Sequence, residues 1–264
     1  MLTAYMDESY NQNTLCVAGW LCEEGLWRRL ETQWDKRIQY ENRQSLKAGL
    51  IAMSRFHASK LDNFQGDFKG WGKARKVQFQ KKLIDILGRF HPVAIACGVN
   101  LGEMISSSPE AERGILKKNK WELAAYRLCM MSCFKSILEV MELHYPQEQV
   151  AVIHDHGKFN GAAQRAFSAV KRSTKCANRS ALLTVAPMEW ENCTALQPAD
   201  LLAYEGLKLV ERRLTSVADF RKSLQRIIGN KCLVRVHRIS EENLKLLIER
   251  HLASKNSHVT TSAA

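Results

Sequence analysis

Leu2 to Asp7 alternates and is rich in strand formers, and beyond the turn-like Ser9-Tyr10-Asn11-Gln12-Asn13 a second short apolar run follows from Thr14 to Leu21. Two such runs around a polar turn predict an antiparallel hairpin. The period then changes. Between Gly25 and Asn42 the apolar residues recur at Leu26, Leu30, Trp34 and Ile38, the spacing of an amphipathic helix. Ile51 to Ala58 reads as a short strand ending at Phe56-His57-Ala58. Ala74 to Phe90 reads as a basic helix, Val93 to Val99 as a buried strand, and Trp121 to His144 as a long central helix. Val150 to Ile153 is an apolar strand running into His154-Asp155-His156-Gly157. After it come a helix from Phe159 to Lys171, a strand from Leu182 to Met188, a helix from Thr194 to Val210, and a last helix from Glu241 to Leu252. Gly102 to Lys120, with Ser106-Ser107-Ser108-Pro109, reads as a surface excursion, and the tail from Ala253 to Ala264 as disordered. The order predicts an α/β fold.

The helix from Thr194 to Val210 carries the most informative residue. Steps at helical spacing from Asp200 reach Leu196, Ala203, Tyr204 and Leu207, so its carboxylate shares the stripe that faces the core. An unpaired buried carboxylate costs several kcal/mol, on the order of 3 to 5, so Asp200 requires a cation, hydrogen-bond donors or a metal ion. Pro198 lies in the first turn, where a missing N–H is tolerated.

Composition narrows the partners. The 264 residues carry a formal charge of +12, which favours an anionic partner, nucleic acid before others. Phe64, Phe68 and Trp71, interleaved with Lys60, Lys69 and Lys73, suit either stacking on bases or a loop folded over its own aromatics. Eight cysteines form no CxxC pair and read as buried thiols in a reducing compartment. No apolar run is long enough to span a membrane, and no signal-peptide pattern opens the chain, so a cytoplasmic location is expected.

Three acids close or open predicted elements: Asp7, with Glu8, at the end of the first strand, Asp155 at the end of a later one, and Asp200 in the first turn of a late helix. Carboxylates on rigid elements suit Mg²⁺ or Mn²⁺, and two such ions about 4 Å apart can activate water and stabilise a leaving oxygen in phosphodiester hydrolysis. In a regular strand Asp7 and Glu8 point to opposite faces, so one site takes both only if the backbone bulges. Each acid also has a structural reading as a turn, cap or ion-pair residue. His154 and His156 form a His-x-His pair that can hold zinc or manganese, and Lys158 can meet a phosphate or water. Phosphate-loop, dinucleotide, nucleophile-elbow and zinc-protease motifs do not occur.

Tyr5-Met6-Asp7-Glu8-Ser9, Phe56-His57-Ala58, Val152-Ile153-His154-Asp155 and Leu196-Gln197-Pro198-Ala199-Asp200-Leu201-Leu202-Ala203-Tyr204 together resemble the domain-of-unknown-function 3800 family, itself similar to the RNase H-like (retroviral integrase) superfamily. Tyr10 and Pro198 depart from the usual pattern. The resemblance implies an RNase H-like fold: a central mixed sheet with antiparallel first strands, flanked by helices. It spans residues 1–215 here, with insertions at about 44–72 and 102–120 and a basic helical extension over 216–252. It also implies Asp7, Glu8, Asp155 and Asp200 as catalytic and metal-binding acids, with His57 at a matching position; His154 and Lys158, close to Asp155 in the chain, are further accessory candidates from the residue pattern itself. The function expected is a Mg²⁺- or Mn²⁺-dependent nuclease. The alternative is a non-catalytic nucleic-acid-binding or protein-interaction module of the same fold, in a mobile-element or phage-defence system.

Overall fold

The structure is a computed structural model that describes residues 1–106, 118–176, 178–212, 216–230 and 234–239. Its opening hairpin follows the alternation, with a longer first strand. Leu2–Tyr10 (β1) pairs antiparallel with Thr14–Glu23 (β2) in unbroken register, Leu2 opposite Glu23 and Tyr10 opposite Leu15. Asn11 closes the turn, its Oδ1 accepting the N–H groups of Asn13 and Thr14. A Cβ at Gly19 would lie 1.9 Å from the Tyr5 carbonyl oxygen, so the two strands meet there only because the residue is glycine.

Val93–Asn100 (β3) extends the sheet antiparallel to β2, while Val150–Asp155 (β4) lies parallel to β1 and Leu182–Met188 (β5) parallel to β4. Val234–Arg238 (β6) runs parallel to β3, giving the order β5-β4-β1-β2-β3-β6. A helical extension was expected in this region. Among the described residues it contains a short 3-10 turn, Val217–Asp219, one α-helix, Lys222–Gly229, and then β6, whose Val-Arg-Val-His-Arg alternation has the period of a strand. Residues 241–252, read as a last helix, lie outside the described residues.

One face of the sheet is covered by Glu24–Lys47 (α1), Ala58–Asp62 (α2), Lys73–Phe90 (α3), Leu196–Glu211 (α7) and Lys222–Gly229 (α8). Their core contains Trp20, Trp27, Trp34, Phe56, Phe79 and Leu201. The other face carries Leu101–Ser106 (α4), Lys118–His144 (α5) and Asn160–Arg172 (α6), packed over Leu2, Ala4, Met6 and Val152. Alternation along β1 thus sends even-numbered residues to the α5 and α6 side and odd-numbered ones to the α7 side.

The strand expected at Ile51 to Ala58 is irregular chain that leads into α2. Side chains, not a neighbouring strand, take its N–H groups: Met53 N–H donates to Asn42 Oδ1, and Phe56 and Ala58 to acceptors on α7. Phe68 and Trp71 fold inward, Trp71 lying 5.4 Å from the Phe79 ring, so these aromatics serve the core. The described cysteines are free thiols, buried except for Cys176, which is partly exposed. Among the described residues no helix is long and apolar enough to cross a membrane.

Candidate active site

The site begins with the placement of α7. Leu196, Ala203, Tyr204 and Leu207 are buried on its inner stripe, and Asp200, its fifth residue, sits partly buried at the rim of that stripe. Gly206 lets the helix lie close to the sheet, since a Cβ there would come 2.6 Å from Cys16 Sγ. Trp20 Nε1 donates to the Pro198 carbonyl at 2.8 Å and ties the start of α7 to β2.

The polar residues of this helix end pin the Phe56-His57-Ala58 segment. Gln197 Oε1 accepts from Phe56 N–H at 2.9 Å and from Trp34 Nε1 at 3.2 Å. One turn later, Asp200 Oδ2 accepts the Ala58 N–H at 2.8 Å. His57 Nδ1 stands 3.2 Å from the same oxygen without hydrogen-bond geometry. Asp200 therefore has a backbone donor, the second of the partners its position demanded.

The sheet supplies the other acids. Met6 opposite His154 is the last pair between β1 and β4, so one further step sets Asp7 beside the end of β4, where Asp155 stands. Both belong by alternation to the α7 side. Asp7 and Glu8 lie inside β1, not at its end, and the register with β2 shows no bulge there. They nevertheless line one cleft. Pairing with β4 stops at Met6, and Glu8, two residues on, borders the same space as Asp7. The cleft, of about 180 Å³, is bordered by Asp7, Glu8, Arg55, His57, Asp155 and Asp200. It opens at the carboxyl end of β4, a parallel strand, where open α/β sheets place ligands.

Its charge is unbalanced. Burial, then the charges of Asp200, Glu8 and Asp155, push the Asp7 carboxyl well above the usual range. Glu8 is pushed up to about 8 by burial and by Asp155, against the opposing pull of Lys158. Burial also raises Asp155, with Arg55 acting in the other direction, and Asp155 Oδ1 is buried without a hydrogen-bond partner. Arg55 stacks its guanidinium 3.9 Å over the Trp190 ring.

His154 and Lys158 stand outside this cleft. His154 is buried in the sheet with Nδ1 2.9 Å from the Asp155 carbonyl, and burial lowers its pKa. His156 turns to Glu189, 2.9 Å away at the surface, so the two rings of the His-x-His pair do not converge. Lys158 Nζ bonds Glu122 at 2.9 Å and lies 3.8 Å over Tyr10. Burial opposes its charge, but Tyr10 and Glu122 hold the ammonium above its ordinary range. Gln197 and Arg55 went unassigned in the sequence reading. Gln197 stood inside the quoted Gln-Pro-Ala-Asp motif, which was a usable signal, whereas nothing local marked Arg55.

Among the described residues, no group of three or more His, Cys, Asp or Glu side chains is already drawn into metal-ligating geometry. The donor set itself suits a hard divalent cation: clustered carboxyl oxygens, raised by burial and by one another's charge, that a cation would return to the ionised form, and an orphaned Asp155 oxygen.

No protein-family model and no curated protein matches the chain, so the family resemblance rests on its motifs. Among solved structures, the chain is similar to a crystal structure of a mutant of Bst-RNase HIII, at 11% identity and a TM-score of 0.39. The match covers 92% of this chain and spans 64% of that one.

Proposed function

We propose that the protein is a metal-dependent phosphodiesterase acting on DNA or RNA, with Asp7, Asp155 and Asp200 holding Mg²⁺ or Mn²⁺ and Glu8 as a further ligand. The observation that supports this reading is the gathering of four carboxylates in one cleft with a buried Asp155 oxygen left unpaired. When bound, such ions supply Lewis acidity, lowering the pKa of water and stabilising a leaving oxygen. The chain's own groups orient the donors. The Ala58 N–H fixes Asp200, Gln197 locks the segment that presents that N–H, and Arg55 offers the cleft a cation for phosphate. On α3, Arg75 and Lys76 are engaged with Glu41 and Asp62, which leaves the exposed Lys73, Lys81, Lys82 and Arg89 to hold a phosphate backbone without reading sequence.

Incubation of the protein with labelled single-stranded, double-stranded and hybrid substrates, with and without Mn²⁺, tests the reading. Metal-dependent cleavage is expected, and Asp7→Asn, Asp155→Asn or Asp200→Asn is expected to lower it at least about 100-fold. Cleavage that persists in these variants overturns it. The second reading, a non-catalytic binding module, draws on the lack of preassembled ligand geometry among the described residues. A melting curve separates the two. A metal site stabilises by about 2.7 kcal/mol at a hundredfold excess over Kd, whereas structural carboxylates give no rise.

A further inference from the structure

On the far side of the sheet from α7, a groove of about 400 Å³ runs between α5 and α6, lined by Arg127, Gln164, Arg165, Ser168 and Arg172. Among the described residues no carboxylate borders it. None of the three guanidiniums has an ion-pair partner among the described residues; Arg165 and Arg172 are exposed, whereas Arg127 is half-buried like Arg75, which pairs with Glu41, Lys76 and Arg221, which pair with Asp62, and Arg226, which pairs with Asp85. Arg127 Nε is also buried with no acceptor. A buried donor is rarely left unmade, and unpaired like charges repel, so the groove lacks an anion that would satisfy both conditions.

Its wall is fixed, because Gln164 Nε2 donates to the Val185 carbonyl of β5 at 3.0 Å. Its length favours a polymer. Arg165 and Arg172 are seven residues apart on α6, about 10.5 Å along the axis, farther than one phosphate can bridge but the rise of roughly three nucleotides in a strand. The α6 helix also starts just beyond Asp155, so the groove departs from the same end of the sheet as the acidic cleft.

We propose that the α5–α6 groove binds the phosphodiester backbone of a nucleic-acid strand, through Arg127, Arg165 and Arg172, as a second contact surface on the opposite face from α3. This rests on the nucleic-acid substrate of the proposed function and not on its metal chemistry. Arginine is the suited residue, since its planar fork meets phosphate oxygens two at a time.

Fluorescence anisotropy of a labelled oligonucleotide of roughly 20 nucleotides, in EDTA to prevent cleavage, reads the groove. The triple variant Arg127→Gln, Arg165→Gln, Arg172→Gln is expected to bind about tenfold more weakly at low salt and to lose about 2 from the slope of log K against log salt. If it fails to fold, Arg165→Gln and Arg172→Gln singly, both exposed, are each expected to remove roughly one third of that slope. Unchanged affinity and slope overturn the proposal. So does polyglutamate competing as well as the oligonucleotide, which would mark a surface for acidic protein. The two readings fail separately: tight, groove-dependent binding without Mn²⁺-dependent cleavage sinks the nuclease alone, and cleavage with groove-independent binding sinks the groove alone.

Discussion

Two side chains hold the cleft region together, Gln197 from its lining and Asp62 from the far end of α2, and only Gln197 left a sign in the sequence, through its motif. Gln197 spans 141 residues to reach Phe56, and Asp62 ties α2 to α3, to α7 and to the residue that precedes α8. Asp62 accepts from Arg221 at 2.9 and 3.0 Å, from the Tyr204 hydroxyl at 2.7 Å and from Lys76 at 3.0 Å. Such partners are distant in the chain and leave no periodic trace. Asp200 was legible because its cost arises locally, from a charge on an apolar stripe. Replacing Gln197 with Ala should remove about 2 kcal/mol, two hydrogen bonds at about 1 each, in urea denaturation. For Asp62, burial alone would raise the pKa, but Arg221, Tyr204 and Lys76 hold it below its ordinary value. Its folded pKa is therefore depressed, so its stabilisation is complete well above the unfolded value near 3.9 and is lost progressively as pH falls from there through the much lower folded value. Asp62→Asn should destabilise by about 2 kcal/mol at pH 6, and the gap from wild type should begin to narrow as pH falls below about 4, as measured by chemical denaturation.

Among elements, periodicity revealed the hairpin, β3, β5 and the long helices to within a few residues. It failed where hydrogen bonding departs from a ladder. Ile51 to Ala58 has the composition of a strand, but its N–H groups go to Asn42, Gln197 and Asp200 instead. At β4 the strand runs two residues past the apolar run, through His154, and ends on Asp155, the acid expected at a strand end. The α7 helix depends on one small residue. Gly206→Ala should press a methyl on Cys16 Sγ and cost about 1 to 3 kcal/mol. Adding Cys16→Ala should recover part of that loss, a coupling that a double-mutant cycle measures.

At the scale of the whole molecule, β6 closes an edge of the sheet that β3 would otherwise present to solvent. Seven of the eight β3 residues are buried, and Ile239 N–H continues the pairing by donating to the Gly98 carbonyl at 3.0 Å. A chain ended at Asn230 should expose that edge and self-associate, seen as a rise in mass by light scattering while full-length protein stays unchanged. A different consequence belongs to the Ala58 amide. Its proton is sheltered by a carboxylate 142 positions away rather than by a neighbouring strand or helical turn. Deuterium uptake at that single position therefore clocks how often Asp200 lets go, giving an isotopic gauge of cleft integrity in any buffer and with any added solute.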